Sequence, residues 1–253
     1  MNRMATWIAA VAMALVGFSA MAQQDALDAE AILDRVNAAW RGDSFHGVLA
    51  LDIVLGGQTK SHTLEVWTLG EELALIRILE PEIDVNSGYL QLGDELWFYS
   101  PAAGPIKLPA MAIGDALFGA GPSLEDLSHG TLSDDYDASV VAMSQDTDDY
   151  EGFFLTLVPH LDAPVVYGKL EIWVSADDVI ERLVYYDQRN GVLQTAVFSD
   201  VIEIGGRKFA TTIVVEDRYG DRTIERIELA EFDLPLEVEF FRLETFESWG
   251  EAE

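Results

Sequence analysis

The stretch "GDELWFYSPAAGPIKLPAMAIGDALFG", residues 93–119, decides how the rest of the chain is read. It sets a strand-like run, Leu96, Trp97, Phe98 and Tyr99, before a proline-punctuated turn and a small, greasy, weakly helical segment. Along an extended strand Trp97 and Tyr99 point to one side and Leu96 and Phe98 to the other, so both faces need cover. Between Ala110 and Phe118, the residues Ala110, Ile113 and Leu117 fall on one side of a short helix. Two readings fit this spacing. The helix is plain packing over the strand, or it is a lid over an apolar cavity matched to an acyl chain, where each buried CH₂ contributes about 0.8 kcal/mol.

On either side of this stretch the chain is strand-rich. "FHGVLALDIVL", "SHTLEVWTL" and "LALIRIL" are short β-type runs separated by turn residues, and "YLQL", Gly93-Asp94 and "ELWFYS" read as a hairpin. After a second brief turn at Pro122 and Ser123 and an aspartate-rich stretch around Val140 and Val141, strands resume as "GFFLTLVP", "VVYGKLEIWVS", "VIERLVYYD", "VLQTAVFSDVIEI", "RKFATTIVVED" and "RTIERIELAEF". In the second of these Val166, Leu170, Ile172 and Val174 alternate with Lys169, Glu171 and Ser175, giving one apolar and one wet face. Before all of them, Ile32, Leu33, Val36 and Trp40 recur at helical spacing behind Asp28 and Glu30. The pattern predicts a mainly β protein: about ten or eleven antiparallel strands in a single curved sheet or incomplete β-barrel, with an N-terminal helix and a short helical lid.

Residues 1–22 read as a secretory signal: Arg3, an apolar run from Trp7 to Phe18, then Ala20 and Ala22 in the small positions that precede cleavage. The run is well short of the roughly 20 apolar residues that span a bilayer. The expected mature protein is a single domain, residues 23–253, soluble in the periplasm. With no cysteine it carries neither a lipoprotein anchor nor disulfides. The full chain's 45 acidic against 15 basic residues, net charge −30, exclude nucleic acid and anionic membrane surfaces as natural partners. The acid serves solubility, as in a saline habitat, or meets a cationic partner.

Catalytic motifs are missing: there is no Gly-x-Ser-x-Gly, no phosphate-binding Gly-x-x-x-x-Gly-Lys, no His-Glu-x-x-His and no dinucleotide fingerprint. The expectation is a non-enzyme without catalytic residues, cofactor or metal. Two metal alternatives are weak: a zinc site from His46 and His62 on neighbouring strands, and calcium at Asp146, Asp148 and Asp149, which lack the glycine and bidentate glutamate of a calcium loop.

"DSFHG" (43–47), "LWFYSP" (96–101), "LFGAGPSLEDL" (117–127), "SDDYD" (133–137), "VVYGKLEIWV" (165–174), "YYDQRNG" (185–191) and "SDVIEIGGRKFAT" (199–211), in this order, resemble the LolA-like outer membrane lipoprotein-sorting family. The resemblance implies an unclosed β-barrel around a hydrophobic cavity, with helices that move aside for acyl chains. It implies a monomeric carrier of lipoproteins or lipids, fed by an inner-membrane transporter or permease and emptied by an outer-membrane acceptor. A sensor or scaffold acting with a membrane partner is the alternative. On this reading Leu96, Trp97, Phe98, Tyr99, Met111, Ile113, Leu117 and Phe118 meet the lipid. One departure stands out: relatives carry Gly-Ser-Asp-Phe where this chain has Gly119, Ala120, Gly121 and Pro122.

Overall fold

The computed structural model describes residues 28–114, 116–118, 123, 135–141, 152–161, 163, 165 and 167–250. The signal segment, the departure at 119–122 and the aspartates at 146, 148 and 149 lie outside the described residues.

Helix α1, Ala29–Arg41, begins where the Asp28 carboxylate accepts from Glu30 N at 3.1 Å and Ala31 N at 3.4 Å. It ends at Gly42, whose φ of 65° is a left-handed value that favours glycine. Strands follow as β1 Ser44–Leu55, β2 Gln58–Leu69, β3 Leu73–Glu80, β4 Gly88–Leu92, β5 Glu95–Ser100 and β6 Gly104–Leu108. The second run is β7 Tyr136–Val141, β8 Gly152–Pro159, β9 Lys169–Ser175, β10 Ile180–Tyr186, β11 Val192–Ile204, β12 Arg207–Asp217 and β13 Arg222–Phe232. A terminal helix, α2, spans Leu243–Gly250.

All thirteen strands form one curved, open antiparallel sheet in the order β6-β5-β4-β3-β2-β1-β13-β12-β11-β10-β9-β8-β7. Two meanders are thus sewn together at their long strands, β1 against β13, and the short strands β6 and β7 are left at the edges. Two expectations from sequence need correction. Gly104–Leu108 is a strand rather than only a turn, because Pro105 can sit on an edge where its missing N–H costs no ladder bond. The strand expected from Val165 starts instead at Lys169, after Gly168 donates its N–H to Tyr186 O at 2.9 Å.

Register fixes the two faces. Leu51 lies opposite Glu225, which lies opposite Ile213, so the apolar residues of both meanders share one inner face. On the β7–β12 half that face is filled by α1: Ile32, Leu33 and Val36 are buried against Leu155, Leu170, Ile172 and Leu183. Each such side chain contributes about 2 kcal/mol by leaving water. Trp40, at the end of α1, touches both halves and stacks on Phe209 with ring centroids 4.6 Å apart. On the opposite face α2 covers β2–β5, burying Phe246 against Trp67, Leu75, Leu90 and Tyr99. Gly88 makes room for it: a Cβ there would stand 2.7 Å from the Phe246 ring and 1.9 Å from Ile76 O.

Candidate functional site

What α1 does for one half of the inner face, the segment after β6 does for the other. β1 to β5 present Phe45, Leu49, Leu51, Leu64, Val66, Ile76, Ile78 and Leu96 inward, by plain strand alternation. Past Pro109 a 3₁₀ turn, Ala110–Gly114, reverses the chain, with Ala112 N donating to Pro109 O at 2.9 Å. Ala112, Ile113, Leu117 and Phe118 then pack down on the inner cluster. Met111, in the same turn, is 84% exposed.

Polar groups pin this cover at two points. Tyr89, inward on β4, donates its hydroxyl to Leu117 O at 3.2 Å. His62, inward on β2 opposite Leu51, stacks on Phe118 with centroids 3.9 Å apart and planes 15° from parallel. Burial raises the Tyr89 phenol above its ordinary value, and Asp84 nearby raises it further. Burial also pulls the His62 imidazole below 6.5; Asp84 opposes that and Lys60 reinforces it. Both side chains are therefore neutral at pH 7.

The eight residues expected to meet lipid are not on one face. Leu96, Ile113, Leu117 and Phe118 come together in the inner cluster, and Phe98 joins through Tyr89, whose ring lies 5.2 Å from its own. Trp97 and Tyr99 point outward beneath α2, with Tyr99 stacked on Phe246 at 5.0 Å. The alternation of "LWFY" forces this split, and α2 supplies the cover that the outer pair needs. Tyr89, His62 and Gln91 were not among the expected set; alternation in "YLQL" places Tyr89 and Gln91 on the face of Leu96, as the register does. His46 and His62 are on opposite faces, His46 being outside between Glu231 and Glu65 at 2.8 and 3.0 Å, so no shared metal site joins them. Among the described residues no cluster of metal-ligating side chains occurs.

A groove of about 400 Å³ lies elsewhere, between the β9–β10 turn and the β11–β12 hairpin, where Val201 and Ile202 share the wall with Asp177, Glu181, Glu203 and Lys208. Its charged lining suits water better than hydrocarbon, so the covered inner face is the stronger candidate.

An open antiparallel sheet whose inner face is closed by a helix on one half and a short folded-back segment on the other defines a class of half-barrel proteins. Residues 70–248 match a family model described as that of an uncharacterized protein, and the chain belongs to that family. Solved structures share the fold. A domain named for outer membrane lipoprotein sorting from Vibrio parahaemolyticus superposes with TM-score 0.74 at 17% identity, over 87% of this chain and 100% of its own. A LolA superfamily protein from Nitrosomonas europaea gives 0.72 at 22% identity, over 86% of this chain and 98% of its own. A DUF1329 family protein from Desulfovibrio piger gives 0.74 at 20% identity, again over 86% and 98%. None of the curated proteins matches the chain.

Proposed function

We propose that this protein is a non-enzymatic periplasmic carrier. It takes acyl chains of lipoproteins or lipids between the inner face of β1–β5 and the cover at residues 109–118, and ferries them towards the outer membrane. The observation that carries this reading is the construction of the cover. It is a short segment laid on a largely apolar sheet face, with half-buried side chains and the Tyr89 hydroxyl bond, rather than a long helix locked in like α1. Lifting it exchanges contacts with Ile113, Leu117 and Phe118 for contacts with hydrocarbon, a near-balanced swap in dispersion and burial. Among the described residues no helix is long and apolar enough to cross a membrane. Export on the signal of residues 1–22, cleaved after Ala22, delivers a single-domain monomer, loaded by an inner-membrane transporter and unloaded by an outer-membrane acceptor.

The test is to export the protein, purify it without detergent, extract it with organic solvent and identify bound molecules by mass spectrometry. Acyl lipid or lipopeptide at a fixed ratio to protein is the expected result. Protein that carries none, and takes up none from detergent-solubilised lipoprotein, refutes the carrier.

A further inference from the structure

Two side-chain atoms on the inner face are fully buried without a hydrogen-bond partner among the described residues: His62 Nδ1 and Gln91 Oε1. Their residues are 9% and 7% exposed. Each sits in a β strand facing inward, His62 opposite Leu51 and Gln91 between Ala74 and Leu96. Thr68 shares a cross-strand row with Gln91, and it lies six residues from His62 on β2, so the two orphans are about 20 Å apart along the strands. An unmet buried polar atom is costly, and it is retained where something else satisfies it. Among the described residues it is His62 that lies directly under the cover, against Phe118.

Resting on the carrier reading, we propose that His62 anchors the polar group of the bound molecule, and that this group is an uncharged hydrogen-bond donor, an amide or a hydroxyl, at the end of an apolar chain. Raising Phe118 bares the face of the imidazole, and a molecule that takes its place lies alongside the ring with its polar end at the Nδ1 edge. The imidazole is neutral, so it offers no ionic partner to a carboxylate or phosphate. The charges that act on it are Asp84 and Lys60, opposite in sign, and Tyr89 beside the same cover is uncharged. A net charge of −30 adds a general penalty for anionic ligands. With the imidazole proton on Nε2, which the anchor requires, a donor group meets the Nδ1 lone pair and removes the cost that the closed state carries. Bare hydrocarbon and acceptor-only groups leave that cost in place.

The test uses three ligands of one chain length, dodecanamide, dodecanoate and methyl dodecanoate, each displacing a polarity-sensitive naphthylamine probe at pH 7.5 from the full mature protein. Wild type should bind the amide about tenfold tighter than the other two, the worth of one hydrogen bond. His62→Phe keeps a ring against Phe118 and deletes the orphan. It should bind all three alike while melting at a higher temperature than wild type without ligand. Gln91→Met should retain the preference for the amide. Equal binding of the three ligands by wild type, or a preference that survives His62→Phe, overturns the anchor and leaves the carrier standing. A preference lost in Gln91→Met but not in His62→Phe moves the anchor to Gln91 and equally overturns the assignment. Failure of all three ligands and the probe to bind refutes the carrier itself.

Discussion

Tyr89 is the residue that ties sheet to cover, and its bond can be cut without changing the ring. Tyr89→Phe removes the 3.2 Å donation to Leu117 O and should cost about 1 kcal/mol in denaturant unfolding. The same change should speed entry of a fluorescent fatty-acid probe, because the closed state loses more than the open one. Slower entry, or none of either effect, shows that this bond is not a latch. His62 gives a pH signature. Its folded-state value lies below 6.5, so above 6.5 folded and unfolded chains are both neutral at this residue and its contribution is fully present. As pH falls below 6.5 the unfolded imidazole takes up a proton that the buried one resists, and stability declines. The melting temperature should therefore drop between pH 7.5 and about 5.5 by more in wild type than in His62→Phe. Leu96 and Phe98 were legible as a pair sharing a face, since alternation is a property of the strand alone. Which pair faced inward was not, because that depends on α2, whose docking is encoded some 150 residues away in Phe246 and Trp249 and on the small size of Gly88.

At the level of elements, α1 and the long strands could be read directly: caps, helical spacing and apolar alternation each act within a few residues. β6 could not, because "GPIKL" has the proline and glycine of a turn and becomes a strand only by pairing Phe98 with Ile106 and Leu96 with Leu108. A short helix was expected from Ala110 to Phe118, but only Ala110–Gly114 is helical, as a 3₁₀ turn, and Met111, expected to meet lipid, is exposed because it lies about 120° round that turn from Ile113. Two substitutions separate moving cover from fixed packing. Leu117→Glu places a carboxylate on the inner cluster only while the segment is down. Opening relieves it, so the variant should stay folded by circular dichroism, with a small fall in melting temperature and much weaker probe binding. In contrast, Phe246→Ala on α2 hollows a fully buried site with no comparable escape and should cost about 3 to 5 kcal/mol with probe affinity per folded molecule unchanged. Outright unfolding of Leu117→Glu would make residues 109–118 ordinary core.

Over the whole molecule, charge is the property that composition made most visible and that the fold uses least. The described basic side chains are largely engaged already, in pairs such as Arg35 with Asp178, Arg77 with Glu65, Arg222 with Glu216 and Arg226 with Asp52. These pairs are exposed or half-exposed, and each is worth little in water. The excess carboxylates, 45 against 15 cations, repel one another across a sheet open at both edges. Salt weakens both terms, but the repulsion is summed over many distant pairs and is the one that a shrinking Debye length removes first, from about 10 Å at 0.1 M to 3 Å at 1 M. Sodium chloride raised from about 0.01 M to 1 M should therefore raise the melting temperature, while a neutral osmotic control at equal osmolality should not match it. Acid that serves a saline medium requires this sign. A melting temperature that falls with salt would mean that the ion pairs outweigh the repulsion, and the acidic surface would then be better explained by a cationic partner than by solubility.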